Sequence, residues 1–402
     1  MQRAYAVLDT EGTVRQVVAD GNQAIAIARS ISPYVSVEAG GETAAPLGDL
    51  GRAMSAAEMP ALALRLSGLR RLDAREVMAL SVQQAHKILL PYFPATRTRK
   101  SGAVIKVEPY RTPAGMVEAL LGQNYKTGIE TPEQPSDVIG LSLMPYGLAA
   151  QASKRALPLK GLGLCVGSSD ACRKACLVYS GHNTIDLYNI AVKVARTEAL
   201  LLQPVAFARI LVEAVSRHLN SARRRGFEPF IRLNVFSDVP WELVFPDLFG
   251  MFPALRFYDY MKVPGRSTPS NYDLTFSWSG VNEAFVQSEL QRGRRIAAVF
   301  MLPGGMKERQ RYTIGPTGKT YNIQLPKTFL NLPVVDGDVS DVRPRNPSPC
   351  VVGLRWKLPL GSDAGKRLGN SSFVVPVTNV DGVLVASQAA RHESIVDPDV
   401  AA

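Results

Sequence analysis

The chain has 402 residues, with 46 Lys and Arg against 35 Asp and Glu, a net charge of +11, 46% hydrophobic residues and four cysteines. Such a composition builds two or three domains of roughly 100–200 residues each, and it excludes a disordered or fibrous chain. No apolar run approaches the roughly 18 residues of a membrane span, no leader pattern opens the chain, and four cysteines are too few for a disulfide scaffold, so the expectation is a cytoplasmic protein with no membrane partner.

Residues 1–45 read as a small α+β unit. Ala4–Leu8 and Val14–Val18 alternate about an Asp9-Thr10-Glu11-Gly12 turn, a hairpin signal, and a helical stretch from Asn22 and a run at Tyr34–Val37 follow. Residues 46–93 form a helical segment: apolar residues recur at helical spacing from Ser55 to Leu90, and Asp73 stands three residues before Glu76 as in a capping box. Up to Phe93 the nine basic and nine acidic residues cancel, which disfavours a DNA-binding helix-turn-helix. Residues 94–138, rich in Pro, Thr and Gly, read as a connector.

From 139 to 360 the pattern changes to short apolar runs alternating with helical segments. The runs are Ile139–Met144, Phe230–Val235, Leu255–Tyr260, Tyr272–Ser277, Ile296–Leu302, Val334–Asp336 and Val351–Trp356. The helices are Asn183–Leu202, Pro204–Arg225, Trp241–Met251 and Val281–Arg292. Short buried strands between helices predict parallel pairing, hence an α/β fold with a partial or complete parallel β/α barrel. Residues 361–402 form a tail in which Ser371–Val377 and Val383–Ser387 can pair as a hairpin.

Several of these strands run into polar residues: Arg232, Asn234, Ser237 and Asp238; Tyr258, Asp259 and Lys262; Ser277; and Asp336, Asp338 and Asp341. In a barrel the carboxyl ends of the strands share one mouth, where such residues converge on substrate. Asp238, Asp259, Lys262, Asp336 and Asp338 are then candidates for catalysis, and Arg232, Asn234, Ser237, Tyr258 and Ser277 for holding a small-molecule substrate. The bland reading of the same residues is N-caps and turns, which use the same side chains.

Three of the four cysteines, Cys165, Cys172 and Cys176, have the spacing C-x6-C-x3-C, and His182 follows six residues later. Three thiolates can hold three irons of an iron–sulfur cluster and leave the fourth open to a small ligand. With His182 they can equally make a tetrahedral zinc site. The third reading is buried small apolar side chains, against which the Gly, Ser and Asp around the first two cysteines argue. Cys350 begins the last proposed strand, at the end away from the mouth, and reads as core.

The whole charge excess lies beyond Phe93, in groups such as Arg223-Arg224-Arg225 and Arg292, Arg294 and Arg295. A basic surface suits phosphate-bearing partners such as nucleic acid, with Tyr258, Tyr260, Tyr272 and Trp278 available to stack bases. Solvated helix ends explain the same arginines, since Arg223–Arg225 precede Gly226 where cations favour the macrodipole.

Gly140-Leu141-Ser142-Leu143, Leu164-Cys165, Ala171 to Leu177 and Ser180-Gly181 occur in order, followed by Arg196-Thr197 on a helix. Ile231 to Asn234, Ser237 to Glu242, Phe257 to Lys262, Asn271 to Ser277, Val335 to Asp338 with Asp341, and Val352 to Leu354 then follow. Over roughly 120–360 this succession resembles the gene product 88 family of bacteriophage proteins. The resemblance implies a phage or prophage protein with a barrel-like domain. More distantly it is similar to radical-SAM barrels, with a cysteine loop after the first strand, although the spacing is not C-x3-C-x2-C and no Gly-Gly-Glu follows the second strand.

Overall fold

A computed structural model describes residues 3–8, 14–18, 54–55, 59–98, 104–106, 109–123, 135–145, 148–157, 163–165, 167–179, 187–280, 282, 285–302, 325–356, 373–381 and 383–386. Strands β1 (Arg3–Leu8), β2 (Val14–Val18) and β3 (Met54–Ser55) form a small antiparallel sheet in the order β2-β1-β3. The helix expected from Asn22 and the run at Tyr34–Val37 lie outside the described residues. Three helices follow, α1 (Met59–Leu66), α2 (Ala74–Met78) and α3 (Val82–Leu89). Asp73 and Glu76 form the reciprocal capping box of α2, and Ser81 and Gln84 repeat it on α3, so each helix starts where side chains satisfy its first free N–H groups.

Residues 94–138 are more than a connector. Strands β4 (Thr96–Thr98) and β5 (Val104–Lys106) pair as a ribbon, and α4 (Pro113–Leu120) buries Met116, Val117 and Leu120 in the main core. Thr112 caps α4 and Pro113 occupies its first turn, so the Pro and Thr that read as loop composition are start signals for a helix.

The remaining elements build one large sheet. In chain order they are β6 (Ser136–Gly140), α5 (Leu148–Ala152), α6 (Asp170–Lys174), α7 (Leu187–Leu202), α8 (Pro204–Arg225), β7 (Glu228–Arg232), α9 (Trp241–Val244), α10 (Asp247–Met251) and β8 (Arg256–Met261). Then come β9 (Tyr272–Ser277), α11 (Val286–Gln291), β10 (Ile296–Met301), β11 (Thr328–Phe329), β12 (Leu332–Asp336), β13 (Val351–Arg355), β14 (Val374–Val380) and β15 (Val383–Ala386). The strand order is β11-β12-β13-β10-β9-β8-β7-β6, with β14 pairing β10 and β15. All pairs are parallel except β11 with β12 and β14 with β15. From β6 to β10 each strand lies beside its predecessor, the winding of a β/α barrel.

Among the described residues the sheet does not close on itself: β6 has no partner beyond β7 and Gly122. It also forks. One edge of β10 pairs with β9 at Ile296 and Ala297, then with β14 from Val299 to Met301. The two-residue period of the strands separates two faces. Ile231, Phe257, Leu274, Phe276 and Phe300 join the helices in the main core, while Val138, Phe230 and Tyr258 on the other face pack against Val342, from the connection between β12 and β13. Each fully buried Phe contributes roughly 2–3 kcal/mol by leaving water. The longest helix, α8, carries an apolar stripe from Ala206 to Ala222 and stops at Gly226, whose φ of +72° suits glycine. Among the described residues no single helix is long and apolar enough to cross a membrane.

Candidate functional site

The thiol segment lies across the carboxyl ends of the parallel strands. Ser168 donates from its backbone N and its Oγ to the Cys165 carbonyl, at 3.0 and 2.7 Å, closing a turn. Ser169 then caps α6 by accepting from Cys172 N at 3.1 Å, and Arg173 Nη1 donates to the Ser168 carbonyl at 2.7 Å. The Gly-Ser-Ser-Asp sequence is thus a turn and a helix start, and it brings Cys172 back towards Cys165.

Four contacts dock this loop. Asp238 N donates to the Leu164 carbonyl at 2.8 Å, and Cys165 Sγ donates to the Phe236 carbonyl at 3.4 Å. Gly167 lies so close to the end of β8 that a Cβ there would stand 2.8 Å from Lys262 Cβ and 3.0 Å from Val263 N, which requires glycine at this crossing. Ala175 packs with Val374, Val299 and Met301 of β14 and β10. Residues far apart in sequence therefore meet at one corner.

All three thiols are coupled electrostatically to the Lys262 ammonium. Burial alone would lower that ammonium, but Cys172, Asp238, Cys165 and Cys176 outweigh it and hold it above its ordinary range. Burial pushes the Cys172 thiol up, with Lys262 pulling it back and Asp238 adding to the rise. Burial likewise pushes Cys176 up to about 11, against a backbone hydrogen bond at Val178 and the pull of Lys262. Asp238 Oδ2 accepts from Lys262 N at 2.9 Å, and its Oδ1 accepts from Arg266 Nη1 at 2.8 Å. Arg266 is completely buried and also grips Glu242 with Nε and Nη2, both at 2.7 Å. Below the corner stands a closed ionic node.

The other candidate residues are placed differently. Asp259 is buried on β8 and reaches the end of β7, accepting from Leu233 N at 3.1 Å, Asn234 N at 2.9 Å and the Tyr272 hydroxyl at 2.9 Å. Burial pushes it up to about 7 against the pull of Arg232 and these donors. Asn234 Oδ1 accepts from Ser237 Oγ and Val239 N at 2.8 and 2.9 Å, so both residues shape a turn. Arg232 is paired with Asp341 at 2.9 Å under the rings of Tyr258 and Tyr260. Asp336 binds Arg355 through both oxygens, at 2.8 and 2.7 Å, and Asp338 accepts from Arg355 N at 2.9 Å. Ser277 is buried, its carbonyl accepting from Asn282 Nδ2 at 2.8 Å. Of the ten, Lys262 and Asp238 join the thiols, and the rest cap, turn or pair elsewhere.

Three thiols are suitable donors for zinc or iron. Among the described residues no three Cys, His, Asp and Glu side chains stand at ligating separation, and His182 lies outside those residues. Cys350 is fully buried with Ala297 and Val352, on the run into β13 and away from the corner. Tyr258 and Tyr272 are core residues, and Arg295 is bound to Asp273 at 2.8 Å, which removes these groups from any nucleic-acid surface. Arg266 and Glu242, which hold the corner from below, carry no linear signal: one follows a Pro-Gly turn and the other sits in a one-turn helix.

Residues 119–375 match the model of the family described as gene product 88, a span that runs from the end of α4 into β14 and holds the whole thiol corner. No curated protein and no solved structure matches the chain, and similarity to the radical-SAM barrels is not shown.

Proposed function

The chain belongs to the gene product 88 family of phage proteins, and from that premise we propose that it is an iron–sulfur enzyme whose cluster is held by Cys165, Cys172 and Cys176. The observation that carries this reading is that Cys165, Cys172 and Cys176 lie on one loop docked where the parallel strands end, each coupled electrostatically to Lys262. Three cysteines suffice for a cluster with one open iron, whereas a structural zinc would need a fourth protein ligand, for which His182 is the candidate. Such a cluster, when bound, supplies electrons and an open coordination position. Holding a cluster would require Cys165, Cys172 and Cys176 to stand closer together than they do in this structure.

This chain's own residues set the terms. Ionising two buried thiols and a half-buried one costs free energy, and Lys262 offsets part of that cost. Asp238 holds the Lys262 backbone, and Arg266 with Glu242 locks Asp238, so the ammonium is fixed from behind. Lys262 is also the cation that would orient an anionic group on a small or nucleotide-like substrate, with SAM one candidate.

The test is metal, sulfide and visible absorption of protein purified without oxygen, beside Cys172→Ser. Iron with sulfide and a broad band near roughly 400 nm, lost in the variant, is the expected result. One zinc per chain without colour overturns the iron reading and leaves a zinc-stapled domain. No metal at all overturns metal binding at the corner.

A further inference from the structure

A second site lies at the opposite ends of the strands. A cleft of about 430 Å³ opens between the first residues of β8 and β9, the 267–271 connection and the turn before β10, in the size range of small-molecule sites. Arg256, Arg266, Arg292 and Arg294 line it, against one carboxylate, Asp273. Asp273 is neutralised by Arg295, which grips both its oxygens at 2.8 and 2.9 Å.

The four guanidiniums are not equivalent. Arg266 is spent on Glu242 and Asp238. Arg294 leans on Glu289, 3.0 Å from its Nε, and donates to the Arg266 carbonyl. Arg256 and Arg292 reach carboxylates only at 3.7 and 4.0 Å, and their side chains are 60% and 41% exposed. Glu228, the acid nearest Arg256, is already bound by Arg345 at 2.7 Å. Two guanidinium forks therefore face the cleft with weak partners, beside Ser267, Thr268 and Ser270. Planar forks of this kind match phosphate oxygens two at a time.

We propose that this cleft binds a compact phosphorylated small molecule, held by Arg256 and Arg292 at the amino ends of β8–β10. Burial lowers the Arg294 guanidinium, and the nearby Arg266 and Arg292 lower it further, a crowding of cations that a bound anion relieves. The cleft is bounded by Arg266 and Pro344, which suits a small ligand better than a polymer. The inference is independent of the thiol corner and survives if no metal binds there.

The experiment titrates the full chain with inorganic pyrophosphate at constant ionic strength, by calorimetry and thermal shift, beside two double variants. Arg256→Gln with Arg292→Gln alters the cleft; Arg223→Gln with Arg224→Gln alters exposed arginines outside it. One saturable site is expected, weakened by on the order of tenfold or more in the cleft variant and unchanged in the other. Both variants should melt with the wild type when no probe is present, since none of the four arginines is buried. No saturable binding, or equal weakening in both variants, overturns the proposal. Tighter binding of a short single-stranded oligonucleotide, weakened in the Arg223 and Arg224 variant, overturns it in favour of a nucleic-acid surface.

Discussion

The ionic node at Arg266 and the thiol corner above it share Asp238 but are built on opposite terms. In the node every strong donor has its acceptor: one guanidinium meets two carboxylates and the Val239 carbonyl within 3.3 Å. At the corner, burial raises Cys172 and Cys176, and one ammonium serves three thiols. Buried charge that is fully matched holds architecture, whereas burial keeps these thiols protonated despite the cation beside them. The difference sorts residues that look alike in sequence, because Asp238 and Asp259 end neighbouring strands yet only Asp238 reaches the corner.

The sharpest test of the comparison removes the node. Arg266→Met leaves Asp238 and Glu242 buried without their countercharge and should cost about 3–5 kcal/mol, read as a fall in the urea midpoint. A loss below about 1 kcal/mol would mean that the node is not what supports the corner.

Next in size is Asp259→Asn, which places an amide against backbone donors and should cost about 1–3 kcal/mol. The loss should depend on pH. With Asp259 held at about 7 in the fold against an ordinary 3.8, the folded chain binds more protons than the unfolded chain between those values. Wild-type stability should therefore fall, relative to the variant, as pH rises from about 4 to 7, in parallel denaturation series. His218 acts in the opposite sense. Burial lowers it to about 4 from 6.5, so the unfolded chain binds the extra proton and stability should be lost as pH falls through that window. His218→Gln should flatten that slope.

The corner itself should be nearly silent in stability. Cys172→Ser should shift the urea midpoint by less than about 1 kcal/mol equivalent while abolishing metal uptake. A variant that unfolded instead would return the thiols to the role of core side chains. Smallest is Lys262→Met, which keeps the backbone bond to Asp238 but removes the ammonium. Cys176, already at about 11 against an ordinary 9.0, should rise further, so its alkylation at fixed alkaline pH should slow, followed by mass spectrometry.

Much of the sheet is legible in the chain. Tyr272–Ser277 and Pro204–Arg225 occupy the spans that their periodicity predicts, and Ile296–Leu302 and Val351–Trp356 lose one residue each. These elements are strongly patterned and sharply bounded, the second by Gly226. The first strand is less so: Ile139–Met144 overlaps only its last two residues, since pairing to β7 begins at Ser136 and ends at Gly140. Buried Asp137, bound to Arg225, interrupts the apolar run and hides the true start. In the site, the thiols and the polar strand ends are visible, but not which of the polar residues join the thiols. Asn234, Ser237 and Asp336 use for turns and pairing the same kinds of side chain that elsewhere stand beside the thiols.

By itself the sequence determined the alternation of strand and helix, the caps and the concentration of thiols on one loop, because these depend on neighbours within a few residues. Only the tertiary structure decided that the described strands leave the sheet unclosed, that Lys262 rather than Arg232 is coupled to the thiols, and that Arg266 binds Asp238 beside them. Each of these depends on which strands adjoin and how far their ends stand apart. Pairing across some 70 to 110 residues, as between Cys165 and Phe236 or Arg232 and Asp341, leaves no periodic trace in the chain.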